Sequence, residues 1–145
     1  MAIKWIPEGY HVVTPYHVVP RAAEFIEFLK EAFGALERER FGNPDGKIMH
    51  AEVSIGDSVI MLGDASAEFE ATRSSTHLYI EDVDAAYQRA LDAGGTSLRE
   101  PQDQFYGDRS AGIKDRFGNQ WWLATHVEDV SMEEMQRRQA AMAQA

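Results

Sequence analysis

The chain has 145 residues, a formal net charge of −10 from 24 acidic and 14 basic side chains, and no cysteine. The missing thiols exclude a disulfide framework, a thiolate zinc site and a cysteine nucleophile, and an acidic chain without a basic cluster repels a nucleic-acid backbone. No run approaches the roughly 20 apolar residues that span a bilayer, and the opening MAIKWIPEG holds no apolar stretch of signal length. The expectation is therefore a cytoplasmic protein with neither nucleic acid nor membrane as partner. Phosphate-loop, dinucleotide-binding and nucleophile-elbow signatures are all absent from the sequence.

In chain order, the first β-like stretch is TPYHVV, ending at Val19. Residues 20–33 then place Ala22, Phe25, Ile26, Leu29 and Phe33 at helical spacing, with Pro20 suited to the first turn and Gly34 to the stop. Three β-like segments follow at 35–42, 47–55 and 58–63. The second half repeats the order. STHLYIE reads as a strand, and 82–93 as a helix with Asp82 as N-cap, an apolar face of Val83, Ala86, Tyr87, Ala90 and Leu91, and Gly94-Gly95 as the stop. Segments 96–104, 108–114 and 119–126 are again β-like. Both halves are β-α-β-β-β, and a shift of 61 (95 − 34 between the helix-ending glycines) also matches Val19 with Ile80, Ile26 with Tyr87 and Leu62 with Leu123. Such a pattern is an internal duplication. Ser131 and Glu134 stand in capping-box spacing before a terminal helix over 131–143, whose row of Met132, Met135, Gln139 and Met142 is expected to pack on the body or on a partner subunit.

Side chains alternate between the two faces of a strand, which separates a helix-facing set from a far-face set. In IMHAEVSI, the row Met49, Ala51, Val53 and Ile55 is expected under a helix, which turns Ile48, His50, Glu52 and Ser54 away. In NQWWLAT, Trp121 and Leu123 go to the core while Gln120, Trp122 and Ala124 face away. In STHLYIE, Leu78 and Ile80 go inward, leaving Ser75, His77 and Tyr79 outward; the repeat shift gives Thr14, Tyr16 and Val18 the same outward aspect. The candidate ligand-binding set is thus Tyr16, His50, Glu52, Met61, His77, Tyr79, Arg109 and Trp122. Aromatic walls with a few polar groups suit a small-molecule pocket. A carboxylate on an enclosed face needs a partner, and Arg109 is the one expected for Glu52; Gly107-Asp108 and Asp115 to Asn119 read as turns. His77 is the candidate acid–base residue. His11, His17 and His126 read as structural.

THLYIEDVDAAYQRALDAGG, DRFGN leading into the last strand, and EFLKEAFGA together resemble the glyoxalase/bleomycin-resistance/dioxygenase superfamily, the vicinal-oxygen-chelate fold. GYHVVTPYHVV, DGKIMHAEVSIGDSVIMLGD and YGDRSAGIKDRFGNQWWLATHVEDVS resemble its PhnB-like branch. The resemblance covers nearly the whole chain. It implies an α+β fold in a single domain over 1–145: two βαβββ modules, about 10–64 and 73–127, forming a cup-shaped mixed sheet, with a C-terminal helix. It also implies a homodimer.

In metal-dependent relatives, the first and fourth strands of each module supply His, Gln or Glu ligands, and those positions fall here on Thr14, Met61, Ser75 and Trp122. Two hydroxyls, a thioether and an indole are poor donors for a divalent ion. The leading expectation is a metal-free binder of an aromatic or amphipathic small molecule, with no cofactor. The alternative is a glyoxalase-type lyase or isomerase, using a divalent metal at His50, Glu52 and His77 or His77 alone as base. A third reading is a dimeric partner protein with a vestigial pocket.

Overall fold

The computed structural model describes residues 2–144. Its elements are β1 (Tyr16–Val19), α1 (Ala22–Phe33), β2 (Leu36–Gly42), β3 (Ile48–Ile55), β4 (Ser58–Asp64), β5 (Ser75–Tyr79), α2 (Val83–Asp92), β6 (Thr96–Asp103), β7 (Asp108–Lys114), β8 (Gln120–His126) and α3 (Met132–Ala143). The chain divides between Ser74 and Ser75 into two compact units. Each unit holds one four-stranded mixed sheet, ordered β1-β4-β3-β2 in the first and β5-β8-β7-β6 in the second. The edge pairs β1/β4 and β5/β8 are parallel, and the remaining pairs are antiparallel. The α+β architecture of two βαβββ modules and a terminal helix is therefore present.

The sequence patterning explains the helices. In α1 the apolar residues fall on one stripe, and Phe25, Ile26, Phe28 and Leu29 are buried against the sheet. Gly34, at φ 69°, takes the left-handed conformation that ends the helix. The start differs from expectation: Pro20 lies outside the helix, and Arg21 is the N-cap at φ 71° without a side-chain cap. The missing cap comes from β4. Asp64 accepts the Ala22 amide through Oδ1 (2.8 Å) and the Ile48 amide through Oδ2 (2.7 Å), so one carboxylate ties a helix start to a strand start. Helix α2 begins as expected, with Asp82 accepting the Ala85 amide.

The alternation in β3 holds only in part. Ala51, Val53 and Ile55 are buried toward α1, but Met49 is 61% exposed and Ile48 is only 3% exposed. Between Phe41 and Gly42 the β2/β3 register slips, with Phe41 opposite His50 and Gly42 opposite Ile48. This irregularity leaves Met49 without a partner and exchanges it with Ile48 in the core.

Helix α3 does not bury its methionine row against its own chain, since none of its residues is buried and Met132 and Met142 are exposed. What holds it is polar: Arg138 donates to Glu128 and to the Phe105 carbonyl oxygen, while Ser131 caps the Glu134 amide. No described helix is long and apolar enough to cross a membrane.

Candidate functional site

In the first unit, β4 pairs with β1 and β3 so that Tyr16, Met61 and Glu52 form one lateral row on the sheet face turned away from α1. Glu52 is almost completely buried there (5% exposed), and its partners lie within the same unit. Tyr10, in the segment before β1, donates its hydroxyl to Oε1, while His50 Nε2 contacts Oε2 at 2.9 Å. The Tyr16 hydroxyl meets the other ring nitrogen of His50, Nδ1, at 3.2 Å. Burial alone would raise the Glu52 pKa, but hydrogen bonds from His50 and Tyr10 outweigh it and hold the carboxyl below its ordinary range. The Tyr10 phenol moves up in return, chiefly through its hydrogen bond to Glu52.

Two hollows adjoin this chain of polar groups. The larger, about 810 Å³, is bounded by Tyr16, Val18, His50 and Gly63 from the sheet, by Asn43 and Lys47 from the β2–β3 hairpin, and by the stretch 65–69 ending in Phe69. Gly63 permits the arrangement, because a Cβ there would stand 2.7 Å from the Met49 carbonyl oxygen and 3.3 Å from the Tyr16 hydroxyl. The smaller hollow, about 430 Å³, lies between the segment 5–14 and the row of Glu52 and Met61, with Trp5 and Tyr10 on its walls. Arg38 covers the Tyr10 ring at 5.1 Å from its centroid.

In the second unit, the paired tryptophans separate as expected. Trp121 is fully buried beneath α2 and donates its indole N–H to Asp115 (2.9 Å), a carboxylate that also accepts the Phe117 and Asn119 amides of the turn. Trp122 occupies the opposite face, across from Gly112 and beside His77 in register. A Cβ at Gly112 would lie 2.4 Å from the Trp122 ring, and the Arg99 guanidinium stands 5.3 Å from that ring's centroid. His77 and Tyr79 are exposed on the same face, edge to face at 4.9 Å.

Two expectations about Arg109 are corrected. It does not join the far face: in β7 it shares its side with Ala111 and Ile113, the residues packed under α2, and it forms a two-pronged ion pair with Asp84 of that helix plus a contact to Asp103. Nor does it partner Glu52, which Tyr10 and His50 satisfy. The polar residues of β7 that do face away are Ser110, which accepts from Arg99 at 2.8 Å, and Asp108, read from sequence as part of a turn and found buried. Asp108 accepts from Tyr79 (2.9 Å) and contacts His126 Nδ1 (2.8 Å), whose Nε2 reaches Asp129 (2.7 Å). The hydrogen bond to Asp108 raises the Tyr79 pKa, and those to Asp108 and then Asp129 raise that of His126. The residues missed by sequence reading are thus Tyr10, Arg99, Asp108 and His126. For Asp108 a signal existed, since Ala111 and Ile113 fix which residues of β7 face the core.

The positions at which the resemblance implies metal ligands do not fit a metal ion. Thr14 donates its hydroxyl to the His11 carbonyl, Met61 offers a thioether, Ser75 a neutral hydroxyl, and the Trp122 indole lies over Gly112. Among the described residues, no three His, Asp or Glu side chains are grouped to hold a metal ion. His50 and Glu52 contact each other at 2.9 Å in the first unit.

These two βαβββ units define the class. The sequence pattern of the Glyoxalase/Bleomycin resistance protein/Dioxygenase superfamily matches residues 11–123, and the chain belongs to that family. An uncharacterized protein of Mycobacterium bovis is 38% identical over 135 residues, spanning 86% of this chain and 89% of its own. A Mycobacterium tuberculosis protein, likewise uncharacterized, has the same identity with 79% of its length covered. Among solved structures, TioX from Micromonospora sp. ML1 superposes with a TM-score of 0.65 at 24% identity, over 81% of this chain and 98% of its own. Protein PA1353 from Pseudomonas aeruginosa gives 0.66 at 20%, over 80% and 98%. These structural likenesses establish the fold.

Proposed function

We propose that the protein is a small-molecule-binding member of its superfamily, of the PhnB-like branch, which works without a bound metal or other cofactor and acts as a homodimer in the cytoplasm. The observation that carries this reading is the 810 Å³ hollow beside the buried Tyr10–Glu52–His50–Tyr16 chain. Its volume suits a drug-sized or metabolite-sized ligand, and its walls combine Phe69, Met49 and Val18 with the polar ends of Tyr16, His50 and Lys47. An aromatic or amphipathic ligand matches that mixture, with apolar area for affinity and sparse polar groups for orientation. Tyr16, His50 and Glu52 are the first-unit residues assigned to this role. Met61 borders the smaller hollow, while His77, Tyr79 and Trp122 form the aromatic face of the second unit.

The test is calorimetric titration of the purified protein with a panel of neutral aromatic compounds, alongside elemental analysis of protein prepared without added ions. Binding that weakens about tenfold or more in Tyr16→Ala and Phe69→Ala, the loss of roughly 1.4 kcal/mol of contact, supports the reading. Stoichiometric zinc, nickel, manganese or iron that disappears in His50→Ala would overturn its metal-free part, and no titratable compound would overturn the binding role. Sedimentation equilibrium tests the dimer.

A further inference from the structure

The geometry points to Tyr16 as the acid–base group of a three-member proton relay, Glu52–His50–Tyr16, acting on an acidic hydroxyl, phenolic or enolic, of a molecule held in the large hollow. The inference rests on the proposed binding role of that hollow and adds a chemical step to it.

The argument begins at the buried end. Glu52 is ionised, so it has no proton to give, and the hydrogen in its 2.9 Å contact with His50 belongs to the imidazole Nε2. The Tyr10 hydroxyl, donating to the other oxygen, keeps the carboxylate oriented. With Nε2 protonated, the neutral imidazole carries its lone pair on Nδ1, and the Tyr16 hydroxyl at 3.2 Å donates into it. The tautomer is thereby set by the carboxylate, and Tyr16 is the member of the chain that reaches the ligand. It lines the hollow and is about half exposed, whereas Glu52 is sealed beneath. His50 and Glu52 are positioning residues in this scheme.

The step balances without a co-reactant. As the ligand's O–H bond breaks, its proton forms a new O–H bond on Tyr16, while the former Tyr16 proton passes to His50 Nδ1. The ligand remains as an oxyanion hydrogen-bonded to Tyr16, and the imidazolium stands against the Glu52 carboxylate. Reversal returns the proton to the ligand. Tyr79 provides an internal contrast, because its hydroxyl donates to a carboxylate, Asp108, which raises its pKa. An imidazole lone pair can accept the phenolic proton at neutral pH, whereas an ionised carboxylate holds it in place.

Benzenesulfonyl fluoride reads this difference on the intact chain with no ligand present. Its S–F bond breaks as the phenolic oxygen forms an O–S bond, the proton passes to His50 and fluoride leaves. Peptide mass spectrometry is expected to show Tyr16 modified at least about ten times faster than Tyr79, although Tyr79 is the more exposed of the two (63% against 48%). His50→Gln is expected to bring Tyr16 to the Tyr79 rate, and Glu52→Gln to slow it several-fold. Equal rates for the two tyrosines, or a fast Tyr16 unaffected by His50→Gln, would overturn the relay. Nitrogen-15 NMR of the wild-type protein tests it independently of variant folding: His50 is expected as the Nε2–H tautomer, and an Nδ1–H tautomer defeats the proposal. Because neither readout uses a ligand, a positive result with no binder in the calorimetric panel would count against the binding role alone.

Discussion

The two units share one topology and fill its far face in opposite ways. In the first, Glu52 stands opposite Met61, and the polar chain leading from it borders open space. In the second, Gly112 stands opposite Trp122, and the indole occupies the room that a side chain at 112 would need. Equivalent places in a duplicated fold thus carry a buried charge with its partners on one side and a ring lying on bare backbone on the other. Duplication preserves the hydrogen-bonded frame and the helix-facing core, while the outward face diverges because strand pairing does not depend on it.

The largest expected effect separates the adjacent tryptophans. Trp121→Ala empties a fully buried site and removes the donor to Asp115 Oδ2, costing about 3–5 kcal/mol in urea unfolding, whereas Trp122→Ala costs about 1 kcal/mol because its face is partly open. Equal losses would remove the distinction between core and far face. Next, Gly112→Ala forces a methyl group into the Trp122 ring at a cost of about 1–3 kcal/mol. Most of that loss is expected to vanish when Trp122→Ala is combined with it, because the two sites couple directly; simple additivity would show that the ring does not depend on Gly112.

In the first unit, Glu52→Gln weakens two charge-assisted hydrogen bonds, an expected loss of about 1.5–3 kcal/mol at neutral pH. Its sign with pH is fixed. A carboxyl held below its ordinary value of 4.5 contributes fully above that pH and loses its contribution as pH falls through the lower folded value, so wild type and variant converge in acid. Thermal unfolding of both proteins between neutral pH and acid checks this. The smallest effect lies at His126, half exposed and bonded to Asp108 and Asp129. Its raised pKa means a contribution complete below the ordinary value of 6.5 and lost as pH rises through the higher folded value. The Tm difference between wild type and His126→Asn is therefore expected to be greatest on the acid side of 6.5 and to close in alkali, by no more than a few degrees given solvent screening.

The sequence was most legible where periodicity was strong. The apolar stripe of α1, the Asp82 cap, the glycine stops and the Trp121/Trp122 alternation all follow from residue order, because helix and strand periods are set by backbone geometry. Where a strand slips register, the rule fails locally: Met49 is exposed and Ile48 buried at a bulge that no residue type announces. Arg109 was misplaced for another reason. The run DRSAG on its own has no clear alternation, and the apolar pair Ala111 and Ile113, which fixes its side, was not used to set the parity of Arg109. Tyr10 was invisible because it reaches Glu52 across 42 positions from a segment without regular structure, and no local spacing encodes such a contact. Of the candidate site, Tyr16, His50, Glu52 and Met61 were read correctly as one face, while the partners that set their chemistry were not.

The double engagement of Asp64 has a bearing on which molecules the large hollow can admit. Three acidic residues border it, yet both oxygens of Asp64 are occupied by backbone amides and Asp45 accepts the amide of Lys47, which leaves Glu68 as the third. Two of the three carboxylates at this rim are spent on fastening the main chain, and Lys47 brings a positive charge to it. A guest entering there meets a wall far less anionic than the chain's overall acidity suggests, and uncharged or weakly acidic molecules are not turned away at the door.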